Sequence, residues 1–211
     1  MIKDLNSNRD FKYYDTVPNE DVCSSVECNK RVLDVGCSTG RIAEKIKREK
    51  SCYVVGIELN PEMAKVAEGR CNEVIVANIE LLEPLNFPEG YFDILLFADV
   101  LEHCKNPLEI LENYKKYLSD VGYILVSVPN VANWEVLINL LRGRFDYRGG
   151  TILDNGHLRF FTLNSIKDLI ENAGFRVEEV RTRNRVLKIL GKLWKNFFAW
   201  GFVIKARKVE D

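Results

Sequence analysis

The sequence predicts an α/β fold built on a single, doubly wound, mostly parallel sheet of seven strands whose last strand is antiparallel. Short apolar runs alternate with stretches of helical period through most of the chain. Strands that alternate with helices along the chain require a parallel sheet with helices on both faces. The 211 residues, of which 46% are apolar and 29% charged, suit one globular domain rather than a disordered chain.

Each strand is expected where a short apolar run is bounded by turn residues, and these runs are residues 31–35, 53–57, 74–76, 92–97, 121–128, 175–181 and 201–207. Helices are expected over residues 41–50, 62–69, 108–118 and 163–173. Asparagine before proline, at 60–61 and again at 106–107, indicates a capped helix start because proline fits the first helical turn. Thr162 is expected to cap the last of these helices, and Gly174 to end it.

Two stretches do not follow the alternation. Residues 129–161 lack a clean period, and we expect a lid over about residues 131–161, since glycines flank the aromatic and basic residues of 142–150. A disordered surface loop is the alternative for this stretch. Residues 183–200 form an amphipathic basic insertion before the last strand. The expected organisation is an N-terminal cap segment over residues 1–30 and one domain over residues 31–211.

Charge and composition exclude several classes of protein. Thirty Lys and Arg against 31 Asp and Glu give a net charge of −1, which argues against a general nucleic-acid binder. No run approaches 18 uncharged apolar residues, and the polar N-terminus lacks the pattern of a signal peptide. We therefore expect a cytoplasmic protein with reduced cysteines.

The sequence gives no pattern typical of a metal site, and we expect none. Only Cys23 and Cys28 are even loosely spaced as zinc ligands. The chain has two histidines, His103 and His157, which are too few for a multi-histidine centre.

The loop between the first strand and the first helix is the clearest indication of a ligand. Its sequence, Asp34-Val35-Gly36-Cys37-Ser38-Thr39-Gly40, leads into a helix N-terminus with free N–H groups. A phosphate-binding GxxxxGK pattern is excluded because no Lys with Ser or Thr follows Gly40. The dinucleotide pattern GxGxxG fails at Ser38 and Arg41.

Residues 32–40, VLDVGCSTG, resemble the first motif of class I S-adenosylmethionine-dependent methyltransferases, DxGxGxG, with Ser38 in place of the middle glycine. The resemblance covers about residues 31–180. It implies a Rossmann-like fold, S-adenosylmethionine as cofactor and S-adenosylhomocysteine as product. The cofactor contacts that it implies are Asp34, Gly36, Cys37, Ser38, Gly40, Glu58, Leu59, Asn78, Ile79, Ala98 and Asp99.

The resemblance also gives several of these residues a role. Glu58 ends the second strand, where the family has an acid that accepts both ribose hydroxyls, a task suited to a carboxylate. Asn78 is expected to accept a hydrogen bond from the adenine amino group, with a plain turn asparagine as the alternative. Ile79 is expected to pack on the adenine ring. Ala98 and Asp99 are expected at the methionine end of the cofactor.

Two further elements resemble the small-molecule branch of the family, the type 11 and type 12 methyltransferase domains. The first is Ala98-Asp99-Val100-Leu101-Glu102-His103 and the second is Gly156-His157-Leu158-Arg159-Phe160-Phe161-Thr162. The elements typical of amino-methylating DNA enzymes and of protein-arginine enzymes are both missing from the sequence after the fourth strand. We therefore expect a small-molecule acceptor, with or without a carrier or lipid attached, and no nucleic-acid partner.

Four residues are candidates for the acceptor side. His103 and His157 are candidate catalytic residues because imidazole titrates near neutrality, and a structural hydrogen bond is the alternative for His103. Arg159 could hold a substrate carboxylate or phosphate through two hydrogen bonds, or form a structural ion pair. Tyr14, which precedes the domain, is expected to close over the pocket.

A basic stretch near the C-terminus is hidden by the overall charge balance. Residues 181–208 contain nine Lys and Arg and no acidic residue. Within it, residues 183–200 predict a basic amphipathic helix, which suits a membrane surface or a lipid-linked acceptor. A homodimer contact or a cover over the sheet edge is the preferred interpretation of this segment, and the membrane role is the alternative.

The sequence therefore predicts an S-adenosylmethionine-dependent methyltransferase that acts by in-line displacement. The alternative is a cofactor-binding partner or regulatory protein that has no transfer activity.

Overall fold

The computed structural model describes residues 18–183 and 194–209. Its strands are β1 Arg31–Val35, β2 Tyr53–Glu58, β3 Glu73–Val76, β4 Phe92–Ala98, β5 Leu118–Pro129, β6 Phe175–Arg183 and β7 Gly201–Lys208. They form one sheet in the order β3-β2-β1-β4-β5-β7-β6. Strands β1 to β5 pair in parallel, and β7 is antiparallel to both β5 and β6. The predicted α/β sheet with an antiparallel last strand is confirmed.

Helices cover both faces of this sheet. The described α-helices are α1 Glu20–Ser25, α2 Arg41–Lys50, α3 Pro61–Ala67, α4 Pro107–Lys115, α5 Trp134–Leu141, α6 Leu163–Asn172 and α7 Lys195–Phe198. Helices α1, α2 and α3 pack in a core with Val32 and Ile94, whereas α4 and α6 pack in the opposite core with Leu33 and Leu95. Neighbouring strand residues point to opposite faces, so strands buried on both sides appear in the sequence as continuous apolar runs.

The strand order reverses at β1, which fixes where a ligand can bind. Strand β1 pairs with β2 on one side and with β4 on the other. The chain therefore moves outward in one direction from β1 to β3, returns to β4 and continues in the other direction. A crevice opens between the diverging loops at the carboxyl ends of β1 and β4.

The predicted helix over residues 108–118 is wrong at its C-terminal end. Helix α4 ends at Lys115, and Leu118 already pairs with Phe92 as the first residue of β5. Leu118 lies seven residues after the buried Leu111, which is also a helical interval. Since it is buried in either structure, the apolar period alone could not place the boundary.

Helix α5 lies in the stretch where the sequence shows no clean period. Asn133 caps it by accepting a hydrogen bond from the N–H of Glu135. Apolar residues occur around the whole helix, but Val136 is its buried residue, so no apolar stripe is visible in the sequence. Val136 packs with Ile152 and Leu153 in a small separate core, which gives the predicted lid region ordered structure of its own.

Residues 18–30, the described part of the predicted N-terminal cap segment, pack on the sheet. Val22 and Cys23 of α1 are buried, and Glu27 forms an ion pair with Lys205 of β7 at 2.9 Å. Tyr14 and residues 184–193 of the predicted basic insertion lie outside the described residues. Within the described ranges, no helix combines the length and the apolar character needed to cross a bilayer.

Three predicted helix starts can be compared with the structure. Asn60 accepts hydrogen bonds from the N–H groups of Glu62 and Met63, with Pro61 at the first helical position. Pro107 also opens α4, but the Asn106 side chain makes no capping bond, which corrects that part of the prediction. Thr162 caps α6, as predicted, in a reciprocal arrangement with Ser165.

The Thr162 cap gives a stability prediction. Thr162→Ala removes the hydroxyl that accepts from the N–H of Ser165 at 3.2 Å, and we expect the free energy of unfolding to fall by about 1 kcal/mol. Thr162→Ser keeps the hydroxyl and should stay close to the wild type. Urea unfolding followed by circular dichroism measures both, and equal midpoints for the alanine variant and the wild type would contradict the role of the cap.

Candidate functional site

A cleft opens at the carboxyl ends of the central strands. Two adjoining cavities of about 540 and 940 Å³ form it, and the residues that line both are Gly36, Ser38, Asp99, His103, Gly150 and Asp154. The smaller cavity extends toward Asp34 and Trp200, and the larger one toward Glu58 and Asn78. All the predicted cofactor-binding residues except Gly40 line this cleft. The strand order therefore brings together residues that are far apart in sequence.

The loop after β1 is built from left-handed backbone. Gly36, Ser38 and Gly40 have φ values of 79°, 51° and 76°. A Cβ atom on Gly36 would lie 2.6 Å from Cγ2 of Val100, so glycine is required both by conformation and by the approach of the β4 loop. Ser38 adopts the conformation that the middle glycine of the motif would adopt at no steric cost. The loop thus keeps its shape despite that substitution.

Asp34 is a buried carboxylate without a protein partner. It is 1% exposed, and neither oxygen has a hydrogen-bond partner among the described parts of the chain. Burial raises the pKa of this carboxyl to about 7, and the nearby Glu58 carboxylate adds to the rise. Because a buried carboxylate normally has hydrogen-bond donors, Asp34 fits a ligand that brings donors or positive charge into the smaller cavity.

Glu58 is held in place by the loops on either side of it. Its Oε2 accepts from the N–H of Ser38 at 2.9 Å, and its Oε1 accepts from the N–H of Asn60 at 2.8 Å. Each carboxylate oxygen can accept more than one hydrogen bond. Glu58 therefore joins the glycine loop to the start of α3 and can still receive two hydroxyl donors from a ligand in the larger cavity.

The end of β3 provides the far wall of the larger cavity. Asn78 caps a single 3₁₀ turn, Ile79–Leu81, through a bond from the N–H of Glu80 to its Oδ1 at 3.0 Å. That bond is the turn role considered from the sequence, and the amide oxygen can accept a second hydrogen bond. Ile79 and the exposed Leu59 add apolar surface to the same wall.

Asp99 lies at the centre of a polar network at the end of β4. Its backbone is left-handed, with φ of 52°, and its Oδ1 forms an ion pair with Nη1 of Arg183 at 2.6 Å. The Nδ2 of Asn19 lies 3.4 Å from its other oxygen. Arg183 and Asn19 line the smaller cavity. No local sequence signal identified them, since each lies 80 or more positions from Asp99 along the chain and reaches it only through folding.

His103 and His157 meet across the cleft. Their ring centroids are 4.8 Å apart, edge to face. The Nδ1 of His103 lies 3.0 Å from the Gly156 carbonyl, and the Nδ1 of His157 lies 3.0 Å from the Ile152 carbonyl. Burial lowers the pKa of His157, and the positive charge of a protonated His103 would lower it further.

The Glu102 carboxylate lies close to the two imidazoles. Its side chain is buried, and burial holds the pKa of the carboxyl well above its usual range, with the Asp99 carboxylate adding to the effect. The backbone carbonyl of Glu102 accepts from the N–H groups of Leu158 and Arg159 at 2.8 and 3.0 Å. These bonds fasten the His157 loop to the end of β4, so the two histidines are held together by main chain.

The remaining acceptor-side residues are placed differently. Arg159 donates through its guanidinium to the backbone carbonyl of Lys105 and is not among the residues that line the two cavities. Asp154, which the sequence did not single out, lines both cavities and accepts from the N–H of Gly156 at 2.8 Å.

Comparison with known proteins gives the family. The methyltransferase-domain family matches residues 23–180. An uncharacterized protein of Methanocaldococcus jannaschii is 31% identical over 93% of this chain and 84% of its own length. The ubiquinone biosynthesis O-methyltransferase of Neisseria meningitidis is 32% identical over 49% of this chain and 45% of that protein.

Solved structures share the fold. A methyltransferase of Archaeoglobus fulgidus described as dependent on S-adenosylmethionine has a TM-score of 0.65 at 22% identity, covering 95% of this chain and 90% of that one. A Thermotoga maritima structure described in the same way has a TM-score of 0.68 at 20% identity, covering 96% and 94%.

The family match spans the glycine loop, Glu58 and the paired histidines, and the shared fold covers nearly the whole chain. The chain therefore belongs to the methyltransferase-domain family, within the class I S-adenosylmethionine-dependent methyltransferases, and its methyl donor is S-adenosylmethionine.

Proposed function

We propose that this methyltransferase transfers the methyl group of S-adenosylmethionine to a hydroxyl oxygen of a small, apolar acceptor. When bound, S-adenosylmethionine supplies an electrophilic methyl group on a sulfonium, which an acceptor atom takes by in-line displacement. The observation that carries the proposal is the pair of imidazoles of His103 and His157, whose ring centroids are 4.8 Å apart in the cavity that Asp34 and Asp99 also line.

The two cavities suit the two ends of the cofactor. Glu58 would receive the ribose hydroxyls, with Asn78 and Ile79 on the adenine side of the larger cavity. Asp34 and Asp99 would lie near the methionine end in the smaller cavity, where a carboxylate without a protein partner can receive an ammonium group. Gly36, Ser38 and Cys37 would leave the backbone open to close approach of the ligand, with Ala98 opposite.

The acceptor side is proposed from the histidine pair. A backbone carbonyl can only accept, so Nδ1 carries the hydrogen in both rings and Nε2 keeps its lone pair. His103 or His157 can then take the proton that a hydroxyl acceptor must lose. Similarity to the Neisseria enzyme, which extends across 49% of this chain, supports an oxygen acceptor.

Exposed apolar side chains support an acceptor that carries an apolar or lipid chain. Leu141 of α5 and Trp194 before α7 are 89% and 63% exposed, and Trp200 lines the smaller cavity. The cysteines are all free, and five of the six are buried, which supports the cytoplasmic location.

A labelled-methyl experiment tests the transfer. The purified protein is incubated with S-adenosylmethionine carrying a deuterated methyl group and with phenolic amphiphiles of increasing chain length. Mass spectrometry should detect the labelled ether in at least one acceptor. Binding of S-adenosylhomocysteine without transfer to this panel or to any component of a cell extract would contradict the proposed activity.

Glu58 gives a binding prediction. Glu58→Ala should weaken binding of S-adenosylhomocysteine by about 1.5–3 kcal/mol, the range for hydrogen bonds to a charged group, because it removes the ribose acceptor and the anchor of the Ser38 loop. Glu62→Ala is a matched control, since this exposed glutamate lies in the first turn of α3 and is not among the residues that line the cleft. Calorimetric titration measures both, and equal affinities would remove Glu58 from the site.

Asp34 gives a pH prediction. If the cofactor binds the ionised carboxylate, whose pKa is raised to about 7, the dissociation constant for S-adenosylhomocysteine should fall about tenfold per pH unit from 5.5 toward 7 and level off above that. Asp34→Asn should bind more weakly at pH 8 and lose this dependence. A wild-type affinity that does not change across the range would exclude the ionised Asp34 as a contact.

A further inference from the structure

We propose that Glu102, His103 and His157 form a binding site for a divalent transition-metal ion, of which Zn²⁺ is the best-matched example. One ligand atom from each residue can be chosen so that all three lie within 4.8 Å of one another. The site joins the 3₁₀ turn Leu101–His103 after β4 to the loop that follows α5. Folding brings His157 to Glu102 and His103, which are adjacent in sequence and lie 55 and 54 positions before it, so the number of histidines alone could not predict this cluster.

Both imidazoles are held as metal-binding histidines usually are. A ligating imidazole normally donates its second N–H to a backbone carbonyl or a carboxylate, which fixes the ring and the tautomer. Here Nδ1 of His103 lies 3.0 Å from the Gly156 carbonyl and Nδ1 of His157 lies 3.0 Å from the Ile152 carbonyl. These contacts leave the Nε2 lone pair of each ring free to bind a cation.

The carboxylate of Glu102 is an independent indication of a cation. The residue is 1% exposed, and within residues 18–183 and 194–209 its Oε2 has no hydrogen-bond partner. A buried carboxylate oxygen without a donor is unfavourable unless a proton or a cation compensates it. Its backbone is fixed by the bonds from Leu158 and Arg159 to the Glu102 carbonyl, so the side chain cannot easily leave the cluster.

The donor set selects the kind of ion. Two imidazoles and one carboxylate occur together in catalytic zinc sites, which keep an open position, and in non-haem iron sites. Magnesium and calcium prefer oxygen ligands throughout. The negative charges of the Asp99 and Asp154 carboxylates act electrostatically on Glu102 and favour binding of a cation beside it. The positive charge of the Arg183 guanidinium, which is paired with Asp99, opposes this binding.

The role of the ion, unlike the site itself, rests on the proposed function. Glu102, His103 and His157 line the same cavity as Gly36 and Asp99, so an acceptor hydroxyl there could bind the ion and release its proton to solvent more readily. The acceptor oxygen then forms its bond to the methyl carbon while the carbon–sulfur bond breaks and its electron pair stays on sulfur. His103 or His157 takes this proton in the ion-free site, whereas with the ion bound both Nε2 atoms would be ligands and the proton would pass to solvent.

Metal titration of the chelator-treated, full-length protein tests the site. Calorimetry with Zn²⁺ at pH 7.5 should detect one equivalent bound with a micromolar or lower dissociation constant. Glu102→Gln, which keeps the side-chain shape, and His157→Gln should each weaken this binding at least tenfold. Glu112→Gln, an exposed glutamate on α4, is the matched control and should bind as the wild type does.

Cobalt distinguishes this site from one built on cysteine. Co²⁺ bound to the wild type should give visible bands without an intense near-ultraviolet thiolate charge-transfer band. A thiolate band, Zn²⁺ binding that is equal in the two variants and the wild type, or preference for Mg²⁺ would each overturn the assignment. Titration of the wild type with S-adenosylhomocysteine separates the two proposals. Intact cofactor binding together with no metal binding would reject only the metal site.

Discussion

The parallel pairing of β1 with β2 and β4 is the constraint on which the rest of the molecule depends. Parallel strands place all their carboxyl ends at one edge of a sheet, and the reversal of strand order at β1 separates the loops that leave that edge. The glycine loop, Glu58, the Asn78 turn and the Leu101–His103 turn all follow strands of this group. Their proximity therefore results from topology and requires no attraction between them.

Negative charge is concentrated at this edge, and the protein satisfies it in different ways. Glu58 has two backbone donors, and Asp99 has Arg183. Asp34 and Glu102 each keep at least one buried oxygen without a hydrogen-bond partner among the described residues. Burying such groups destabilises a fold, and unsatisfied groups of this kind are concentrated where ligands complete the environment. The cleft is thus prepared for positively charged groups at two separate points.

Local patterns predicted most of the fold, and the reasons are physical. Strands buried on both faces must be apolar throughout, and Asn60-Pro61 and Thr162 satisfy helix N-termini through bonds to residues two or three positions away. The glycine loop could be recognised because left-handed backbone needs glycine at Gly36 and Gly40. Such features depend on neighbours in the sequence.

What the sequence could not predict depends on distant contacts. The pairing of β7 with β5, the contact of Arg183 with Asp99 and the meeting of His103 with His157 join residues 50 or more positions apart, and no local pattern encodes them. Helix α5 escaped detection for a different reason, because it buries little more than Val136 and has no apolar stripe.

The position of β7 also governs the order in which the protein can be completed during synthesis. Strand β6 pairs with β7, and β7 in turn covers the edge of β5. Until residues 201–208 leave the ribosome, the β5 edge and the whole of β6 lack the strand that pairs with them in the folded protein. An unpaired edge favours association with other chains. Arg183 ends β6, so its ion pair with Asp99 in the cleft depends on the pairing of β6 with β7. A chain that is shortened before β7 would thus lose part of its ligand cleft as well as its sheet edge.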